Sequence, residues 1–362
     1  MKSNTDPAFV GLEKLIAKQQ CQLDDFERWA VRNEWLEFHR NHYDWWMFPY
    51  NKSSRLGRAY TVYEHEVNEL KKNPYFIRHY LRGVELLLLS WGWELYRCQL
   101  VDNPSPYQEW ADWPIRLYKC AMSLLLFGFT KEFDSVRRYA TLLIRQGKNF
   151  WYDGKDYSEL FRLKLLYIHG LSSSGSARTA KTLRNLLPET VVYSPDLPVN
   201  PAEALSLLQH IITEKRIDVI IGTSMGGMFA QKLRGKCKIL VNSSFHVSAS
   251  MRKRIGINPF FSERENEETE YEITEDLCTQ YEQIEKGQFE HLTAEEISQT
   301  IGLFGTNDDT VNCMEEYKLY YRHCFTFPGS HRLSEENIRV NVLPLIKKLV
   351  PDYLLEIENC SR

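Results

Sequence analysis

A serine becomes a nucleophile when the backbone lifts its hydroxyl clear of its neighbours and a base stands ready to take the proton. Gly222-Thr223-Ser224-Met225-Gly226 has the G-x-S-x-G spacing for this, between the apolar run IDVII and the helical run MGGMFAQKLR. A strand-to-helix turn that tight leaves no room for side chains at 222 and 226, and Gly227 adds clearance. The helix begins at once, so the N–H of Met225 is free to face a developing oxyanion. A second oxyanion donor is expected from the loop after the first strand of the same region, His169-Gly170-Leu171, as the backbone N–H of Leu171. His169 itself is expected to brace that loop by hydrogen bonding. The plain alternative is a serine in a glycine turn with no chemistry.

The hydroxyl needs a base and a carboxylate to orient it, and behind a serine in this setting the acid precedes the histidine in the chain. Asp308 follows the strand run IGLFG in GTNDDTV, and His331 lies in FPGSHRL before the last helix. Asp309 is the rival acid; Asp308 is preferred because it stands nearer the strand end. As a turn residue Asp309 would be a solvated carboxylate or a helix cap. His291, in a polar helical stretch, and His323, in the strand-like YYRHCFTF, compete with His331 but do not sit in a turn after a late strand.

The elements that must carry these residues alternate. LKLLYIHG, TVVYSPDLP, IDVIIGTS, CKILVNSS and QTIGLFGT read as short apolar strands, and SARTAKTLRNLL, PAEALSLLQHIITEKR and MGGMFAQKLR as helices. Such alternation predicts an α/β fold, a mostly parallel sheet with helices on both faces. The long segment NPFFSERENEETEYEITEDLCTQYEQIEKGQFEHL interrupts it before the strand at 302. It reads as a solvated helical face, a mobile loop or an acidic lid that disfavours anionic substrates.

The first half differs. All nine tryptophans fall between Trp29 and Trp151, which predicts a domain boundary in the turn-rich WYDGKDYSE, with a helical Trp-rich domain over 1–156 and the α/β domain over 157–362. A chain of 362 residues exceeds the ~250–300 that one core serves. NPYFIRHYLRGVELLLLSWGWEL, PIRLYKCAMSLLLFGF and FDSVRRYATLLIRQG carry helical periodicity, with Asn73-Pro74 as a helix start and Gly147 as a stop. His39, His42 and His65 lack the further ligands a metal site needs, so capping or core hydrogen bonding is the expectation and no metal is called for. The tryptophans read as core. Arg55, Arg58, Arg78 and Arg82 beside them leave nucleic-acid binding as a minor reading.

A net charge of −3 asks for neither nucleic acid nor an anionic membrane. Apolar runs such as Leu86–Leu89 and Leu124–Phe129 are far short of the ~20 residues of a membrane helix. The N-terminal residues show no basic-then-apolar signal pattern. Eight scattered cysteines with no C-x-x-C pair read as reduced thiols of a cytoplasmic protein.

In order, YIHGLSSSGSARTAKTL, YSPDLPVNPAEALSLL, IIGTSMGGMFAQKL, LVNSS, GTNDD and PGSHRL resemble the YqiA/YcfP-like esterases of the α/β-hydrolase superfamily. The resemblance spans about Leu163 to Val350. It implies the α/β-hydrolase fold, Ser224, Asp308 and His331 as a triad, and hydrolysis of carboxylic esters or thioesters without metal or organic cofactor. One departure is VNSSF, where that family has a proline after the asparagine. In the first half FHRNHYDWWMFPY and the two helical runs after it resemble the conserved N-terminal region of the opioid growth factor receptor family, through His42, Trp45 or Trp46, Phe48 and Pro49. That implies a helical fold and a binding role toward a protein or peptide.

The expected activity is therefore serine esterase or thioesterase chemistry on a small-molecule substrate. Two alternatives stay open: a binding or scaffold protein with a vestigial hydrolase domain, and an acyltransferase using the same triad.

Overall fold

The computed structural model describes residues 2–52, 54 and 57–355. Arg55 lies outside them. The chain divides into two compact units between Phe161 and Arg162. That is five residues beyond the junction expected from composition, because Phe161 is fully buried in the core of the first unit.

The first unit is built on four long helices: α1 (Leu12–Val31), α2 (Pro74–Ser90), α3 (Pro114–Phe127) and α4 (Thr130–Arg145). The Asn73 side chain accepts hydrogen bonds from the N–H groups of Tyr75 and Phe76, and Pro74 opens α2 where its missing N–H costs nothing. Phe26, Phe38, Tyr43, Tyr80, Trp91, Phe127 and Tyr139 interlock in one aromatic core, as expected for the tryptophan-rich half. Within it the Arg116 guanidinium binds Asp44 at 2.7 Å, and Lys119 reaches the other Asp44 oxygen at 3.2 Å. Burial raises the Asp44 pKa, but the two cations outweigh it and hold the carboxyl below its usual range. Arg82 is taken up by Glu27 and Glu85. The unit is not purely helical. Trp93–Glu94 pairs with Gln99–Leu100 and Trp151–Tyr152 with Lys155–Asp156, hairpins too short to show alternation.

The second unit holds a six-stranded parallel sheet: β1 (Lys164–Ile168), β2 (Val191–Tyr193), β3 (Val219–Thr223), β4 (Cys237–Val241), β5 (Thr300–Gly305) and β6 (His323–Phe327). Their spatial order is 2-1-3-4-5-6. Side chains alternate across the sheet. Leu166, Ile168, Ile220, Leu240 and Phe304 enter one core, with Leu208 of α6 (Pro201–Lys215) and Phe229 of α7 (Met225–Lys232). Leu165, Tyr167, Val219, Ile221, Ile239 and Leu303 enter the other, with Leu183 of α5 (Arg178–Leu186) and Ile346. A sheet covered on both faces explains why its strands read as unbroken apolar runs.

The acidic insertion between β4 and β5 is ordered. It forms α8 (Val247–Arg252), an antiparallel hairpin of Gly256–Pro259 with Glu270–Ile273, and α9 (Glu275–Glu285). Its charges are partly paired: Arg252 binds Glu275 at 2.9 Å and Glu282 at 2.7 Å. His291, expected in a helix, lies in a turn with φ 57°.

We propose that the two units are independent folding domains. Residues 162–362 expressed alone are expected to fold cooperatively, and limited proteolysis of the whole chain to cut first outside them. First cleavage inside residues 262–290, with no stable N-terminal fragment, is the contrary result.

Candidate active site

Ser224 follows β3 and caps α7 with φ 54° and ψ −122°, a conformation costly for any residue but glycine. The close approach around it explains the glycines: a Cβ on Gly226 would stand 2.0 Å from the Ile168 carbonyl oxygen, and one on Gly222 2.4 Å from that of Gly226. Backbone hydrogen bonds hold the turn. Ser224 N–H donates to the Val241 carbonyl at 3.1 Å, and the Ser224 carbonyl accepts from Gly227 at 2.9 Å and Ser244 at 3.0 Å.

Gly170 packs against the same serine, its Cβ position 3.2 Å from Ser224 Cβ. Leu171 N–H and Met225 N–H therefore belong to backbone beside the hydroxyl. Among the described residues neither N–H has an acceptor, so both are available to an oxyanion.

The loops after β5 and β6 bring acid and imidazole together. His331 Nδ1 lies 2.8 Å from Asp308 Oδ2. An ionised carboxylate only accepts, so Nδ1 carries the proton and Nε2 keeps a free lone pair. The other Asp308 oxygen accepts from Thr310 N–H at 2.9 Å and Val311 N–H at 3.0 Å. Asp309 is exposed and accepts a 3.3 Å hydrogen bond from the Thr310 hydroxyl. His323 lies in strand β6 itself. Among the described residues Ser224 Oγ makes no hydrogen bond to His331. In unliganded sites this contact often tightens only with substrate.

His169 is used up. Its Nδ1–H donates to the Gly170 carbonyl at 2.9 Å and its Nε2 accepts from Leu197 N–H at 3.2 Å. Burial lowers its pKa from 6.5 to about 4. It braces the loop that carries Leu171.

Three residues that sequence reasoning did not single out complete the frame. Asn242 at the end of β4 has φ 44° and bonds to both the β5 end and the His331 loop. Ser172 accepts Phe261 N–H on its carbonyl at 2.7 Å and shares a 2.7 Å hydrogen bond with Tyr271, so the insertion is tied to the Leu171 loop. Asp196 bridges Gly175 N–H at 2.6 Å and Glu265 N–H at 2.7 Å. Asn242 and Asp196 are short polar residues that follow strands closely, but the backbone groups they bond lie 21 to 89 positions away, so no local signal marks them.

A cleft of 430 Å³ is lined by His246, Glu285, Phe289, Glu316 and Tyr320 and contains none of the triad candidates. A smaller one of 260 Å³ is lined by Asn242, Gly305 and Asp308, among others. Among the described residues no group of three His, Cys, Asp or Glu side chains is placed to hold a metal ion, and no helix is long and apolar enough to cross a membrane. His39 hydrogen-bonds the Tyr107 carbonyl at 2.8 Å, and His42 packs against Trp45 and Trp113.

Residues 164–327 match the profile of a family described as "Uncharacterised protein family (UPF0227)". The match contains Ser224 and Asp308 and ends four residues before His331. Solved structures similar to this chain include alpha/beta hydrolase domain-containing protein 10 from mouse, at 13% identity and TM-score 0.37, over 52% of this chain and 90% of that one. Est1E from Butyrivibrio proteoclasticus is similar at 14% identity and TM-score 0.35, over 51% and 88%. Tomato methylketone synthase I, complexed with 2-tridecanone, is similar at 12% identity and TM-score 0.36, over 52% and 99%. The α/β-hydrolase fold of residues 162–355 is read from the strand order and the serine turn, not from these likenesses. The resemblance of the helical half to the opioid growth factor receptor region rests on the residues quoted for it alone.

A histidine kept neutral by burial must be protonated on unfolding in acid. Its folded pKa is depressed, so the stability it contributes is present above pH 6.5 and is lost as pH falls toward about 4. Denaturant titrations between pH 7 and pH 4 are expected to show a falling stability that His169→Gln flattens; an unchanged slope in that variant would assign the acid sensitivity elsewhere.

Proposed function

We propose that this chain is a serine hydrolase that cleaves carboxylic esters or thioesters through an acyl-enzyme on Ser224. The observation that carries the reading is the 2.8 Å Asp308–His331 hydrogen bond, at the same sheet end as the strained turn that presents Ser224. His331 Nε2 would take the Ser224 proton as Oγ attacks the carbonyl carbon. Asp308 would hold the imidazole in the right tautomer and offset the imidazolium charge. Leu171 and Met225 N–H would bind the oxyanion. The protonated His331 would then pass its proton to the departing alcohol or thiol, and water activated by the same base would release the acid. No step calls for a metal or organic cofactor.

The resemblance to YqiA/YcfP-like esterases supports this reading. The seven described cysteines are free thiols, in keeping with a cytoplasmic setting. The helical unit, with its exposed Trp151 and Tyr107, is the proposed docking module for a protein or peptide.

Ser224→Ala is expected to abolish both fluorophosphonate labelling and ester turnover while leaving the thermal transition within a few degrees. Labelling that survives in the variant would identify another nucleophile. A wild-type chain that neither labels nor turns over an ester panel would favour the scaffold reading, and product formed on an added alcohol in preference to water would favour acyl transfer.

Asp308→Asn is expected to lower kcat by about 10⁴-fold, the scale known for the equivalent loss in a serine protease. Asp309→Asn should cost little. Steady-state kinetics on one activated ester compares the two, and the opposite order would exchange their roles.

A further inference from the structure

Acid and base sit on loops that leave different strands, and something must hold those loops in register to a fraction of an ångström. The side chain of Asn242 touches both. Its Oδ1 accepts from Gly305 N–H at 2.7 Å, at the end of the strand that leads to Asp308. Its Nδ2 donates to the carbonyls of Ser330 at 3.1 Å and His331 at 3.0 Å. Its own N–H donates to the Leu303 carbonyl at 3.0 Å. The residue is 1% exposed, so these bonds are shielded from competing water.

The position is demanding on two counts. The backbone stands at φ 44°, in the left-handed region that asparagine tolerates better than other side chains. The side chain must also present a donor pair and an acceptor on opposite sides, which an amide does and a carboxylate does not. The loops it clamps already approach closely: a Cβ on Gly305 would lie 2.5 Å from the Gly329 carbonyl oxygen and 2.9 Å from that of Ser330. Asn242 also follows Val241, whose carbonyl receives the Ser224 N–H. One residue therefore stands between the backbones of all three triad candidates.

We propose that Asn242 is a positioning residue for the hydrolytic reaction: its amide sets His331 against Asp308 and keeps the imidazole in line with Ser224. The inference rests on the triad reading above. It touches no reacting atom and works through the geometry of the other three.

The test is the second-order rate of fluorophosphonate labelling, together with kcat and KM on an activated ester, in the full-length chain. Asn242→Gly keeps the left-handed backbone and removes all three side-chain bonds. It is expected to lower kcat and the labelling rate about a hundredfold, the scale of a 1 Å misplacement, with KM within about twofold. On an Asp308→Asn background the same change should cost far less, because the orientation it protects is already lost. A purely structural role would instead add its full loss on that background and would move KM too.

Should Asn242→Gly fail to fold, Asn242→Asp decides the matter. It keeps the acceptor for Gly305 and turns the donor side into an oxygen facing two carbonyls, so the His331 loop alone is released; loss of labelling supports the proposal. Wild-type labelling at Ser224 with unchanged rates in either folded variant, or full additivity with Asp308→Asn, overturns it. A wild-type chain that does not label at Ser224 overturns the triad reading itself, and this inference with it, which is a distinguishable result.

Discussion

A residue other than glycine at φ 54° and ψ −122° costs about 1–3 kcal/mol unless its surroundings leave it no alternative. Ser224 is held there by its neighbours. Its N–H is committed to Val241, its carbonyl to Gly227 and Ser244, and α7 lies so close to β1 that Gly226 has no room for a Cβ. Much of the second unit serves this contact. β1 must lie beside β3 for Ile168 to meet Gly226, and the reversal of strand order at β1 sends the Gly170 loop over the serine. Ligand crevices of open α/β sheets form where strand order reverses.

Strands and helices of this unit were legible because the sheet is covered on both faces, so each strand is a short apolar run. The insertion was not. Glu270–Ile273 does alternate, with Tyr271 and Ile273 buried and the glutamates exposed, but the signal lies within a long acidic stretch. Its partner contains Gly256 and Pro259, both poor strand residues, and so gave no strand signal. What specifies the hairpin is tertiary: Tyr271 reaches Ser172, and Phe261 N–H finds the Ser172 carbonyl. Arg252 and Lys286 pair with Glu275 and Glu282 of α9 and offset part of the negative charge there.

VNSSF, where the resembled family has proline after the asparagine, can now be placed physically. Ser243 is fully buried, with its Oγ unpartnered among the described residues, and lies under α7. A Cβ on Gly227 would come within 1.8 Å of that oxygen. An unpaired buried hydroxyl costs about 1–3 kcal/mol, a packing matter beneath the turn. Asn242, one residue earlier, ties the Gly305 strand end to the His331 loop. Sequence alone could not separate the two, because what distinguishes them is which backbone groups lie opposite, and those come from a strand end and a loop some sixty to ninety positions away in the chain.

His169 and His331 show how one residue type is sorted by its surroundings. His169 is 2% exposed with both ring nitrogens engaged. Burial holds its pKa at about 4, so it stays neutral at physiological pH and has no lone pair to offer. His331 has a side chain 21% exposed, one nitrogen fixed by a carboxylate whose own second oxygen is held by two N–H groups, and the other nitrogen open. Only the second arrangement can accept a proton and have the resulting charge stabilised. The first makes a rigid brace, which suits the oxyanion role proposed for Leu171 N–H, since such a donor acts only if it is in place before charge develops.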